Sequence, residues 1–146
     1  MKFYTLNGIV NKEPEIIKTK NFVIIYLEND KTIITTTDSK IMCFNEQGYA
    51  TSINVSNLNT DMFVTKVTRI PKNKYNYVID RVIVGERIVD IIEKTSSNFI
   101  EFLKVPQNTI LDSGHIITGY TKNKIKYNKQ NAIKEDNYEK ILEFLI

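Results

Sequence analysis

Short runs of β-branched and aromatic residues alternate with polar turn residues along most of this chain. Runs of this length and composition are typical of β-strands, because branched and aromatic side chains pack well on a pleated surface. The pattern predicts strands at Phe22 to Glu28, Thr32 to Thr36, Ile41 to Phe44, Tyr49 to Ile53, Met62 to Ile70, Tyr77 to Val84, Arg87 to Glu93, Asn98 to Val105 and, in one or two pieces, Ile110 to Tyr120.

Turn residues between these runs predict three tight hairpins, at Asn29 to Lys31, at Asn45 to Gly48 and at Gly85-Glu86. Asn, Asp and Gly favour such turns because they tolerate a positive φ. Pro71 and Pro106 are expected to end strands, since proline cannot donate a hydrogen bond to a ladder. The polar segment that begins at Pro71 is therefore expected to be a loop.

Closely spaced strands without intervening helices favour a mainly β fold over a parallel α/β fold. We expect a meander, a sandwich or a partly closed barrel of short antiparallel strands. The chain has 146 residues, which is the usual length of one domain. The strand pattern covers residues 1–120, which we interpret as the β-rich domain.

After Tyr120 the composition changes to a connector rich in lysine and asparagine over residues 121–134. Asp136 or Asn137 can then cap a short C-terminal helix. A helix of about ten residues is not stable alone. We therefore expect residues 121–146 to dock on the β-rich domain, or on a partner, through an apolar face. That face consists of Tyr138, Ile141, Leu142 and Leu145.

The composition is 42% hydrophobic and 25% charged, as in globular proteins, so the chain is expected to fold without a metal or a disulfide. No run reaches the ~18 apolar residues of a membrane helix. The opening Met1-Lys2-Phe3 is not followed by a signal-peptide core. We expect a protein of the cytoplasm or of a virion, without a membrane partner. Cys43, the single cysteine, lies in an apolar run and is expected to be buried.

Three phrases, in order along about half of the chain, resemble the Hint (Hedgehog/intein) family. The first resembles the family's hairpin and Thr-x-x-His motif, the second its Gly-Trp segment and Leu-x-x-Gly-Asp-x-Val turn, and the third its approach to the C-terminal splice junction. They run from Ile24 to Ile33 with Thr36 to Ser39, from Gly48-Tyr49-Ala50 to Leu58-Asn59-Thr60-Asp61-Met62-Phe63-Val64, and from Val105 to Gly114. The resemblance implies a Hint-like fold, with Asp61 at a glycine position of the family.

The resemblance also implies which residues splicing chemistry would need. An N-terminal Cys or Ser attacks the preceding carbonyl, a histidine polarises that amide, and an asparagine cyclises at the far end. Here Met1 stands first and Ser39 occupies the position of the motif histidine. Thr118, Gly119 and Tyr120 stand where the family has its terminal histidine, asparagine and nucleophile. We therefore expect no catalytic residues and no enzymatic activity, with residual self-cleavage as the open alternative.

His115, the single histidine, lies three residues before the terminal-histidine position, and no asparagine or nucleophile follows it directly. We interpret it as a structural or surface residue. Asp112 and Ser113 are read as turn residues before Gly114. One histidine and one cysteine without spaced partners do not make a zinc site. The sequence predicts neither a metal nor another cofactor.

The net charge of +3 is too small to indicate a nucleic-acid partner by itself. Lysines interleaved with tyrosine in the connector nevertheless leave a nucleic-acid-binding alternative open, because ammonium groups bind phosphates and aromatic rings stack on bases. The residues that would act are Lys122, Lys124, Lys126, Tyr127 and Lys129. A solvated connector is the simpler interpretation.

A β-domain without catalytic residues, with open strand edges and a short apolar helix, is typical of an interaction module. The favoured hypothesis is therefore a structural or protein-interaction module on a catalytically inert Hint-like fold. It would act with a protein partner or as a homo-oligomer, for example in a phage or viral particle.

Overall fold

The computed structural model describes residues 1–73 and 76–125, and for 68–73 and 76–83 it describes the backbone. This part of the chain contains nine β-strands and one short 3-10 helix. In chain order they are β1 (Lys2–Thr5), β2 (Gly8–Asn11), β3 (Glu15–Leu27), β4 (Thr32–Thr35), β5 (Lys40–Phe44), β6 (Ala50–Asn54), the 3-10 helix (Val55–Asn57), β7 (Phe63–Asn73), β8 (Asn76–Ile110) and β9 (Ile116–Thr121). The prediction of a mainly β fold is confirmed.

All strand pairings in the described part are antiparallel. The order of hydrogen-bonded strands forms closed rings. Strands follow the order β2-β1-β8-β3-β4-β9-β5-β6, while β7 joins β5 to β8 and β9 also pairs with β8. The path β8-β3-β4-β9 therefore returns to β8, as does the path β8-β7-β5-β9. Closure of this kind is what a partly closed barrel requires, because it leaves few unpaired edges.

Strand β8 corrects the prediction of several short strands. It runs without a break for 35 residues from Asn76 to Ile110. The predicted hairpin at Gly85-Glu86 is wrong, since both residues lie inside the β7–β8 ladder, opposite Thr65 and Val64. Neither proline ends a strand, as β7 passes through Pro71 and β8 passes through Pro106.

The other predicted turns are present. Asp30 has a φ of 60° in the β3–β4 turn, where the Leu27 N–H donates to the Lys31 carbonyl at 2.9 Å. In the β5–β6 turn, the Asn45 N–H donates to the Tyr49 carbonyl at 2.8 Å. The bend at residues 112–114 precedes β9, as expected. The sequence pattern did not predict the hairpin of β1 and β2 or the first half of β3.

The core lies inside the closed ladder and draws on nearly every strand. Cys43 is fully buried there, as expected, and burial raises the pKa of its thiol to about 12. The larger cluster of buried apolar residues comprises Phe3, Val23, Ile25, Leu27, Ile33, Ile41, Cys43, Val55, Leu58, Val64, Ile88, Val105, Leu111, Ile117 and Ile125. A smaller cluster comprises Tyr4, Met42, Val67, Ile110 and Ile116.

The start of the predicted connector packs on the β-domain. Ile125 is 7% exposed and bridges to Leu111. The Asn123 amide donates to the Thr32 carbonyl and accepts from the Ile34 N–H, both at 2.8 Å. The predicted C-terminal helix, residues 136–146, lies outside the described residues. No helix within the described part is long and apolar enough to cross a bilayer.

Candidate functional site

Ser39 lies in the turn between β4 and β5 and is fully buried. A backbone hydrogen bond closes the turn, in which the Ser39 N–H donates to the Thr36 carbonyl at 3.2 Å, and polar side chains add further bonds. The Thr36 hydroxyl donates to Oδ1 of Asp38 at 2.5 Å and lies 2.9 Å from Oγ of Ser39. Short side chains that bond to nearby backbone favour such turns over strand. The turn therefore holds the Ser39 hydroxyl in a fixed position.

The Ser39 hydroxyl meets β9, although 80 residues separate them along the chain. Its Oγ accepts the Tyr120 N–H at 3.0 Å, and the Tyr120 carbonyl accepts the Thr35 hydroxyl at 2.6 Å. Gly119 has a φ of +118°, and a Cβ there would lie 2.6 Å from Oγ of Ser39. The glycine is thus required by the close approach of the turn.

Thr118, Gly119 and Tyr120 are all paired within strands. Thr118 lies opposite Lys40 on β5, while Gly119 and Tyr120 lie opposite β8. The Thr118 hydroxyl accepts the Asn108 N–H at 2.9 Å. The structure therefore brings together the positions that the Hint resemblance assigns to the motif histidine and the splice junction. A serine, a threonine and a glycine there can hydrogen-bond, but they have no group that titrates near neutral pH.

A second buried polar cluster surrounds His115, which is 1% exposed. Its Nε2 lies 2.5 Å from Oε1 of Glu86, and its Nδ1 lies 2.7 Å from the Ser113 hydroxyl. Oε2 of Glu86 accepts the Asn29 amide at 2.6 Å. The network fits an imidazole that accepts from Ser113 and donates to an ionised Glu86.

Burial sets the charge of this pair. Burial lowers the pKa of His115 below its usual value, against the opposing effect of Glu86. For Glu86, burial raises the pKa, but hydrogen bonds from Asn29 and His115 outweigh it, so the pKa lies below its usual range. The sequence interpretation of His115 as a structural residue did not find Glu86, because Glu86 was assigned to a turn. The one sequence feature that could have indicated a buried Glu86 is the presence of an acidic residue between two apolar runs.

Two of the predicted nucleic-acid-binding residues are described, and both are exposed. Lys122 Nζ lies 5.9 Å from the centre of the Phe102 ring. Lys124 instead lines a pocket with Lys31 and Lys66. The remaining predicted residues, Lys126, Tyr127 and Lys129, and the docking residues Tyr138, Ile141, Leu142 and Leu145, lie outside the described residues. In residues 1–73 and 76–125, no three His, Cys, Asp or Glu side chains cluster as metal ligands would.

No protein-family model matches this chain, and no curated protein matches it. Solved structures of inteins do match. The transcription factor IIB Mja mini-intein is 16% identical over 82% of this chain and 67% of its own, with a TM-score of 0.51. The transcription factor IIB Mvu mini-intein is 14% identical, over 81% and 70%, with a TM-score of 0.56. The Ssp DnaB Mini-Intein variant M86 is 12% identical, over 84% and 78%, with a TM-score of 0.52.

Identity at this level supports a common fold and nothing finer. The chain resembles inteins and has a Hint-like, mainly β fold, as the three phrases predicted. The positive φ of 71° at Asp61 agrees with the resemblance, which placed Asp61 at a glycine position.

Proposed function

We propose that this chain is a non-enzymatic structural or protein-interaction module built on a Hint-like fold. The observation that carries the proposal is the environment of Ser39. Its buried hydroxyl accepts the Tyr120 N–H at the position that the resemblance assigns to a histidine. A serine hydroxyl cannot serve as a general acid near neutral pH. In this proposal Ser39 fixes β9 against the β4–β5 turn.

The strand edges support an interaction role. Strands β2 and β6 end the ladder order of the described sheet, so one side of each carries no strand partner there. Four of the five residues of β6 are exposed. An open strand edge is a docking site for an extended peptide, because unpaired N–H and C=O groups can form a new ladder. In this proposal, a partner protein in a phage or viral particle would add an extended segment to such an edge.

A fusion experiment tests the absence of autoprocessing. The chain is placed between two test proteins, with an active mini-intein between the same flanks as the positive control. We expect the fusion to stay intact on a denaturing gel while the mini-intein control is processed. Cleavage of the purified fusion at either junction would instead establish the alternative of residual self-cleavage.

Copurification tests the interaction role with the same fold intact. A Ser52→Pro variant removes an N–H that faces away from β5, because Ser52 lies between the hydrogen-bonded pairs of the β5–β6 ladder. An edge strand tolerates proline at such a position. Circular dichroism checks that the variant still folds. Loss of a copurifying protein or of a defined oligomer is expected, and an unchanged assembly would remove β6 from the proposal.

A nucleic-acid-binding accessory role is the second candidate. It is favoured by the exposure of Lys122 and Lys124 at the start of the basic stretch. Gel retardation that weakens with salt would support it, because each neutralised phosphate contributes a slope of about −0.9 to log K against log salt. A double variant, Lys122→Gln with Lys124→Gln, should lower that slope by about two. No retardation at low salt would contradict this role.

A further inference from the structure

A basic pocket opens beside the buried His115–Glu86 pair and has a volume of about 730 Å³. Small-molecule sites span roughly 300–1,000 Å³, so the space suits a small ligand. Three lysines from three separate segments line it. Lys31 comes from the β3–β4 turn, Lys66 from β7 and Lys124 from the segment after β9.

Contacts within the protein place the backbone of Lys124 and the stem of Lys66. The backbone of Lys124 is fixed because its carbonyl accepts the Asp112 N–H at 2.8 Å. Its neighbour Asn123 is tied to β4 through its amide. The stem of Lys66 passes over Gly114, where a Cβ would lie 3.1 Å from Cγ of Lys66. Because Gly114 has no side chain, the Lys66 stem can lie against it.

The lining of the pocket carries more positive than negative charge. The lining carries three lysines and two aspartates, Asp30 and Asp112, which leaves a net charge of +1. None of the three lysines forms an ion pair within the part of the chain that the structure describes. The neighbouring Lys31 side chain lowers the Lys66 pKa below its usual range, against the opposing effect of Glu86. Two ammonium groups held together repel each other, and an anion between them would remove that cost.

We propose that this pocket binds a small phosphate-bearing anion through the ammonium groups of Lys31, Lys66 and Lys124. Lysine binds phosphate as a point charge, whereas a planar carboxylate is matched best by the fork of an arginine. No arginine lines the pocket. The volume beyond one phosphate group fits the organic part of a phosphomonoester. The proposal is independent of the structural role proposed above.

The neutral side chains of Ser113 and Asn123, which also line the pocket, already form hydrogen bonds within the protein. The Ser113 hydroxyl donates to Nδ1 of His115 when the imidazole is neutral, so its proton is already used. The Asn123 amide donates one N–H to the Thr32 carbonyl, and its oxygen accepts the Ile34 N–H. The charged donors of the lining are the lysines, so their removal is the informative change.

Titration calorimetry at low salt tests the proposal with two probes, inorganic phosphate and glycerol phosphate. We expect saturable binding of both, with glycerol phosphate at least as tight. Lys31→Gln, Lys66→Gln and Lys124→Gln should each weaken binding about tenfold, the usual effect of losing one charge-assisted hydrogen bond. Lys18→Gln is the matched control, because Lys18 is an exposed lysine on β3 outside the pocket. It should leave the affinity within about twofold.

Three results would overturn the inference. One is the absence of saturable binding of either probe with a Kd below about 10 mM. Another is an equal loss of affinity in the Lys18 control, which would indicate a response to net charge alone. The third is tighter binding of a short oligonucleotide that lacks a terminal phosphate, which would indicate a nucleic-acid backbone as the ligand. If Lys66→Gln fails to fold by circular dichroism, the two exposed lysines decide the test.

Discussion

Ser39 and His115 are both buried polar side chains, but only His115 can change its charge near neutral pH. Buried polar atoms need hydrogen-bond partners, and both side chains have them. Ser39 is bonded to Thr36 and to the Tyr120 N–H. His115 is bonded to Glu86 and Ser113. The two residues therefore stabilise the fold in the same way and respond differently to pH.

The His115 cluster predicts a loss of stability on acidification. The pKa of His115 is lowered in the folded protein, so unfolding takes up a proton once the pH falls below the usual histidine value of 6.5. The contribution of His115 is complete above pH 6.5 and is lost as the pH falls through the folded pKa. Glu86 has the same sign below its usual value of 4.5. One proton adds at most about 1.4 kcal/mol per pH unit to the slope.

Urea unfolding curves at several pH values between 7.5 and 5 measure this slope. His115 is the single histidine of the chain, so His115→Gln should remove most of the slope over the upper part of this range. The variant also loses buried hydrogen bonds and should be less stable at every pH by about 1–3 kcal/mol. Equal slopes for the two proteins would show that His115 is not the titrating group.

At the scale of elements, the contact of β9 with the β4–β5 turn depends on Gly119. Gly119→Ala should lower the free energy of unfolding by about 2–4 kcal/mol, because strain at positive φ adds to overpacking. The added Cβ would lie 2.6 Å from Oγ of Ser39 and 3.0 Å from its Cα. Urea denaturation measures the change.

Gly8 provides the matched control, since its φ of +120° is nearly that of Gly119 and nothing lies within 4 Å of an added Cβ. Gly8→Ala should cost about 1–2 kcal/mol, from backbone strain alone. The difference between the two variants isolates the contact with Ser39. Equal costs would mean that the turn moves away from β9 without penalty.

Strand β8 shows where sequence patterns succeed and where they fail. The turns at Asn29 to Lys31 and Asn45 to Gly48 were predictable, because local side-chain and φ preferences determine them. Gly85-Glu86 has a similar local composition, but Glu86 is buried against His115, and the β7 ladder continues through it. Tertiary contacts outweigh local turn preference there. A local sequence pattern does not indicate contacts with residues that are distant along the chain.

The same distinction applies to the candidate site. The Hint resemblance predicted the fold and singled out Ser39 and Gly119, because its motifs can be located along the sequence without any knowledge of tertiary contacts. The Lys31, Lys66 and Lys124 pocket was not predictable, since its residues are far apart along the chain and two of them lie outside the basic stretch. Only the register of the strands brings them together.

At the scale of the whole molecule, the closed ladder makes the strands depend on one another. Cys43 lies in β5 opposite Thr51 of β6 and Val64 of β7. Strand β5 also pairs with β9, which pairs with β8. Exposure of Cys43 therefore requires the separation of several strands rather than the fraying of one edge. A single domain of this size usually unfolds in one cooperative step.

We expect Cys43 to react with a thiol reagent only when the whole domain unfolds. The thiol is fully buried and its pKa is about 12, so the folded protein offers neither access nor thiolate. Labelling across a urea series should give the same midpoint as circular dichroism, and a free energy of opening equal to that of global unfolding. An exposed control, Ser52→Cys in a Cys43→Ser background, should label at once in native buffer.

Labelling of Cys43 well below the dichroism midpoint would show that β5 and β6 open as a separate unit. The ladder closure through β9 would then add little stability to that edge, and the β6 edge would be free to rearrange around a partner.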